Sequence, residues 1–244
     1  MARNPSVGYT TYAFSLQNRT STTIGTTPND IEIVAIAERP STGGLYAFST
    51  GTDKLYTLDK VTGQIAEVGD LGVDLPFAEY GMSFDPITDE LRLISDAENL
   101  RIDPADGSLI ATDTSTSPSL WLGGIAYTPP MDPPTSTMVP QTTLYYADNG
   151  NVRFGTVGGV GGNPSPNGGE VQDIGSTDTF SQYMIGLDFS SDGTAYLLCA
   201  RTGDNVLFLY TINLSTGLAT LVGEVDGDIV PQAGEVVGFV VVEN

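Results

Sequence analysis

Apolar and polar positions along the chain alternate with a period of two over short runs. In Leu55-Tyr-Thr-Leu-Asp59, Leu55, Thr57 and Asp59 fall on one face and Tyr56 and Leu58 on the other, as a half-buried strand requires. Such runs are separated by Gly, Pro and Asp turns, and no helix longer than a turn is predicted. The elements expected are many short strands.

The strands fall into a repeat of two halves. In the first half, a strand with a small residue, a turn and a second apolar strand follow one another. Its copies are Val34-Ala-Ile-Ala-Glu-Arg-Pro-Ser-Thr-Gly-Gly-Leu-Tyr-Ala-Phe48, the run from Tyr80 to Ile94, Leu122-Gly-Gly-Ile-Ala-Tyr-Thr-Pro with its continuation at Thr143, the run from Ile185 to Leu198, and Val237-Gly-Phe-Val-Val-Val242. In the second half, two strands flank a Thr-Gly or Asp-Gly turn, most clearly in Leu209-Tyr-Thr-Ile-Asn-Leu-Ser-Thr-Gly-Leu-Ala-Thr-Leu-Val-Gly223. One more second half, from Thr11 to Gly25, opens the chain with no first half before it.

The small residues Ala35, Gly81, Gly124, Gly186 and Gly238 are 46, 43, 62 and 52 positions apart. Units of this length with four short strands are propeller blades. The orphan halves at the two ends complete each other, which removes the exposed strand edges of an open array. The expectation is an all-β, five-bladed propeller occupying 1–244 as one domain. Its blades would span 31–70, 78–113, 120–176 and 182–225, with a last one built from 235–244 and 7–27. The first strands would line a central channel, and ring closure would pair the C-terminal strand with the N-terminal segment.

Composition narrows the function classes. The 244 residues are enough to bury roughly 70% of the unfolded surface, and 29 Gly and 15 Pro suit turns. Thirty acidic residues against nine basic ones give a charge of −21. That field repels phosphate backbones and anionic lipid, so nucleic acid and membrane insertion are not expected; it favours cations or a basic partner. Cys199 is the only cysteine, which rules out an intramolecular disulfide. No run approaches the roughly 20 apolar residues of a membrane span, and Met1-Ala-Arg-Asn-Pro-Ser6 lacks the apolar core of a secretion signal. A cytosolic chain, a processed secreted product and a virion component all remain open.

Gly81-Met-Ser-Phe-Asp-Pro-Ile-Thr-Asp-Glu-Leu-Arg-Leu-Ile-Ser-Asp96, followed by Glu98-Asn-Leu-Arg-Ile-Asp-Pro-Ala-Asp-Gly107, resembles a bacterial family of unknown function. That family carries Phe-x-Phe-Asn-Pro-x-x-Asp-x-x-Arg and then Asn-x-Arg-x-x-Pro-x-x-Gly; Asp85 stands here where Asn is usual. The resemblance implies a secreted or surface β-propeller, often joined to a sorting tail, and supplies no activity.

Candidate chemistry is sparse. The sequence has no histidine, which removes Ser-His and Cys-His nucleophile pairs. A two-carboxylate glycosidase or lyase would draw on Asp85, Asp188 and Glu38, although these do not fall in one layer of the first strands. Asp89, Arg92, Asn99 and Arg101 form the densest polar cluster. They read either as an anion or sugar site with two guanidinium forks or as a network inside one blade, with Asp89 paired to Arg92 across a turn. Trp121 would stack on a sugar or plug the space between blades. No cofactor is expected apart from calcium, for which Asp103, Asp106, Asp226 and Asp228 are candidates beside turn-forming residues. The Pro129–Pro140 segment and the Gly/Pro/Asn-rich stretch at 158–169 read as long loops of the third blade, where binding is expected.

The functional expectation is a non-enzymatic structural or protein-interaction propeller of an extracellular assembly: a filament, surface layer or virion appendage. Its partners would be proteins or further copies of itself. A lectin-type propeller that binds glycan is the alternative, and a carboxylate glycosidase or lyase the second.

Overall fold

A computed structural model describes residues 2–4, 8–28, 31–76, 78–130, 140–179, 182–201, 206–229 and 238–242. Among them the chain is all-β, with four blades in a β-propeller arrangement. The first blade comprises β4 (Ile33–Arg39), β5 (Gly44–Ser49), β6 (Lys54–Leu58) and β7 (Ile65–Asp70). In the second are β8 (Gly81–Phe84), β9 (Leu91–Ile94), β10 (Asn99–Ile102) and β11 (Leu109–Thr112). The third holds β12 (Leu122–Tyr127), β13 (Leu144–Asp148), β14 (Arg153–Val157) and β15 (Val171–Ser176). The fourth is β16 (Gln182–Phe189), β17 (Ala195–Arg201), β18 (Leu207–Ile212) and β19 (Ala219–Gly227). Each is an antiparallel meander in which strands adjacent in sequence pair. Among the described residues, helix is confined to single 3₁₀ turns at Val160–Gly162 and Pro166–Gly168.

The first strands pack side by side, β4 on β8, β8 on β12 and β12 on β16. Small residues permit that approach: a Cβ on Gly81 would stand 2.9 Å from Ile125 Cγ1. The core lies between sheets. Phe48, Leu55, Leu91, Leu93, Leu100 and Ile102 fill one side of the molecule, and Phe154, Leu197, Cys199 and Phe208 fill the other. Each large apolar side chain removed from water stabilises the fold by about 1.5–3 kcal/mol. At the periphery, neighbouring blades lock through their last strands. A Cβ on Gly69, at the end of β7, would lie 1.7 Å from the Asp106 carbonyl oxygen in the turn before β11. The same close approach recurs between Gly175 and the Thr216-Gly217 turn.

The N-terminal strands β1 (Ala2–Asn4), β2 (Gly8–Phe14) and β3 (Thr20–Thr26) form antiparallel pairs. They extend the fourth blade through a short parallel pairing of Asp226 with Thr20 and Gly227 with Ser21. Residues 238–242 lie between β16 and β4. A Cβ on Gly186 would be 2.7 Å from Phe239 Cβ, and one on Gly238 would be 2.8 Å from Ile36 Cγ1. Phe239 is buried and stacks on Phe14 of β2 at 6.0 Å. The fifth unit expected from the repeat is therefore not a complete four-stranded sheet among the described residues. Parts of that unit, including 235–237 and 243–244, lie outside them, as does 131–139 of the insertion expected at 129–140.

Candidate functional site

Arg92 and Arg101 face each other directly across the β9–β10 pair. Like charges so placed repel, and the sequence supplies the counterion twelve residues after Arg101. Asp113 Oδ2 accepts from Arg92 Nη1 at 3.1 Å and from Arg101 Nε at 2.9 Å, and its Oδ1 accepts from Arg101 Nη2 at 3.3 Å. Glu90 takes the Arg101 Nη1 donor at 3.1 Å. Arg92 is 3% exposed. It also donates to Tyr127 Oη at 2.9 Å, Asn99 Oδ1 at 2.6 Å and Asn167 Oδ1 at 2.6 Å. Asn99, fully buried, turns its amide onto the carbonyls of Thr114 and Pro166 at 2.9 and 3.0 Å.

This network pins the third-blade loop at 158–169 onto the second blade. The Asn167 carbonyl accepts from Thr114 N–H and the Gly169 carbonyl from Ser117 N–H. The loop expected to project and bind is folded back as an inter-blade tie. A cavity of about 260 Å³ remains beside it, bordered by Gln141, Tyr127, Arg101 and Asn167. Asp89 is not part of this network and does not pair with Arg92. It sits in a left-handed turn, φ 61°, and receives Arg39 Nε at 3.0 and 3.1 Å and Ser41 Oγ at 2.8 Å. Arg39 holds the Asp89 carboxyl below the usual carboxylate range.

A second cleft, of about 610 Å³, opens at the end of the propeller where chain segments lead into the first strands. Its walls include Ala78, Glu79, Asp96, Ser119, Trp121, Asp148 and Asn151. Alternation about β12 buries Leu120 and Leu122 and turns the intervening Trp121 outward, 54% exposed. The indole meets Tyr183 of β16 edge-on at 6.1 Å, so it bridges two blades at the surface rather than plugging the space between them. Buried Asp148 fixes the Trp121 backbone: its Oδ1 accepts from the Trp121 N–H at 2.9 Å and the Gly150 N–H at 3.1 Å, its Oδ2 from Asn151 Nδ2 at 3.1 Å. The Tyr183 hydroxyl donates to Glu79, and burial together with that carboxylate raises its pKa.

A family model described as "Domain of unknown function (DUF4394)" matches residues 8–233. The chain belongs to this family. Among solved structures, it is similar to a structural genomics protein of unknown function from Bacteroides thetaiotaomicron. That match has 15% identity and a TM-score of 0.54, covering 88% of this chain and 57% of the other. It is also similar to an auxiliary nutrient binding protein from the same organism, with 11% identity and a TM-score of 0.52, covering 80% of this chain and 52% of the other. This member of the family thus spans a little over half the length of either structure, and the likeness is one of fold. Among curated proteins no sequence matches.

The remaining candidate residues are dispersed. Asp103 caps its own turn by accepting from Ala105 N–H, and Asp106 does the same from Ser108 N–H. Asp228 accepts from Thr23 N–H at 2.9 Å, and the Asp226 carbonyl accepts from Ser21 Oγ at 2.6 Å. Among the described residues no three acidic or cysteine side chains converge as a metal-binding group. Asp85 accepts from Ile87 and Thr88 N–H in its turn and borders the cavity beside Arg92. Asp188 and Glu38 line a different cleft, of about 300 Å³, at the opposite end of the first strands. Burial raises the Asp188 pKa to about 7, with Glu38 adding to the rise. Sequence reasoning missed Asn167, Asp113 and Tyr127 because they lie 75, 21 and 35 positions from Arg92. It missed Tyr183 and Glu79 for the same reason, since no local pattern joins positions 104 apart.

Proposed function

We propose that the chain is a non-enzymatic binding propeller, closed as a five-bladed ring, that holds its partner at the cleft around Trp121. The observation that carries this reading is the half-exposed Trp121, anchored through its backbone to a buried carboxylate at the mouth of a large cleft. An exposed indole on a rigid support is a binding platform with little conformational entropy to lose. The reading fits a fold shared with a nutrient binding protein and an extracellular assembly, where a charge of −21 maintains solubility.

Closure as a fifth blade is supported by the peripheral lock seen elsewhere. A Cβ on Gly25 of β3 would be 1.8 Å from the Thr62 carbonyl oxygen, the relation Gly69 has to Asp106. Deleting 236–244, or Phe239→Ala, then lowers the melting temperature by about 10 °C; a melt unchanged by both would end the closure model.

For the site, the native envelope or particle preparation is mixed with wild-type protein and with Trp121→Ala. The variant melts within about 2 °C of wild type and loses the partner. A partner held equally by both removes the cleft from the function.

A further inference from the structure

Resting on the cleft reading above, the geometry points to a cationic ligand group: an arginine or lysine side chain of a partner protein, stacked on Trp121 and received by Glu79 and Asp96. Three observations converge. The cleft wall carries exposed carboxylates at Glu79 and Asp96 and no lysine or arginine among the described lining residues. Asp96 makes no ion pair among the described residues, whereas the arginines of the other cavity are answered within the chain.

The side-chain donors nearest the ligand space are already turned inward. Ser119 Oγ donates to the Asp96 carbonyl at 3.0 Å and Asn151 Nδ2 to Asp148 at 3.1 Å. What faces a ligand is thus an acceptor-rich wall beside an aromatic face. A group that is all donor and positively charged complements it. A neutral sugar would bring hydroxyl acceptors with little to donate to them. A guanidinium satisfies both surfaces at once, lying flat on an indole while its edge donates to carboxylates. The chain's 30 acidic residues would steer a basic protein toward any face, and the cleft supplies the docking point such steering lacks.

Trp121 is the only tryptophan, so its emission reports the site directly. The probe is an amidated hexa-arginine peptide, with the hexa-citrulline peptide as its neutral isostere and maltohexaose as the sugar arm. Hexa-arginine shifts Trp121 emission saturably and citrulline does not. The double variant Glu79→Gln, Asp96→Asn, checked by its melt, weakens binding about tenfold, the size expected when a desolvated cation loses its partners. Arginine binding of full strength in that variant overturns the inference, because general attraction to an acidic surface then suffices. Citrulline or maltohexaose saturating as well as hexa-arginine overturns it too, yet leaves the cleft standing as a binding site. The cleft itself falls only if Trp121→Ala keeps the native partner.

Discussion

The cavity beside Arg92 and the cleft at Trp121 are both polar and both lined by carboxylates, and they differ in what their groups are doing. Around Arg92 every strong charge has an internal answer: two guanidiniums share Asp113, Glu90 takes a third donor set, and Tyr127, Asn99 and Asn167 complete the shell. Around Trp121, Asp148 is internally satisfied by backbone and amide donors and Glu79 accepts a single bond, from the Tyr183 hydroxyl; Glu79 and Asp96 remain exposed beside a half-exposed indole. The first region is a tie between blades; the second leaves acceptors open to solvent, as the proposed docking of a partner requires. Density of charged residues does not distinguish them; spent hydrogen-bonding capacity does.

The largest effect that would break this contrast is at Arg92. Arg92→Met leaves buried Asn99 and the partly buried Asp113 and Asn167 without their shared donor, and removing one partner of a buried network costs about 3–5 kcal/mol. The melting temperature should fall by about 10 °C or more, with Trp121 emission unaltered in whatever protein remains folded. If Arg92→Met instead melts like wild type, the first cavity is not structural and the contrast is lost.

Next comes Asp188, a partly buried acid at a cleft wall with no ion pair among the described residues. Its Oδ2 accepts from the Val241 N–H at 2.7 Å and so holds 238–242 beside β16. Its folded pKa, about 7, lies above its unfolded value. The folded state therefore binds more protons between the two, and this group's contribution to stability falls as pH rises through that window. Asp188→Asn keeps an acceptor and removes the charge. It should melt several degrees higher than wild type at pH 8, with the gap closing by pH 4. A gap independent of pH would mean that Asp188 is not the titrating group.

The repeat made much of the fold legible. Strands such as Leu55–Leu58 and turns such as Thr62-Gly63 are local patterns, and four of the units correspond to sheets. The small residues at Gly81 and Gly186 also announced themselves, because close backbone approach admits little else. What the sequence could not show was the direction of the 158–169 loop. Its Gly and Pro content marked it as a loop, but Asn99 and Arg92, far upstream, hold it down. Trp121 was visible as a residue and ambiguous as to side. Its neighbours Leu120 and Leu122 are equally apolar, and only the register of β12 decides which one faces out.

Asn167→Ala probes the loop more gently. It removes one acceptor from Arg92 while leaving Asp113 in place, so a loss of about 1–2 kcal/mol is expected. Solvent exchange of the Thr114 and Ser117 amides, which donate to the loop's carbonyls, should quicken while those of β9 and β10 stay protected. Quickening throughout the second blade would show that the loop is part of one cooperative unit with the sheet and not a tie laid over it.

The smallest effect is expected at Tyr183, and it bears most directly on the open cleft. Its hydroxyl donates from a different blade to Glu79, a wall residue of that cleft. Tyr183→Phe keeps the edge-on contact with Trp121 and removes the hydroxyl that meets Glu79 and the Trp121 side chain, at a stability cost below about 1 kcal/mol. The informative quantity is the coupling to Glu79. In a cycle of Tyr183→Phe, Glu79→Gln and the double variant, a coupling near zero in stability with a measurable coupling in hexa-arginine affinity shows that the bond orients the Glu79 carboxylate for a partner. Coupling of about 1 kcal/mol or more in stability alone would make the pair a strut, and the cleft would then resemble the Arg92 cavity after all.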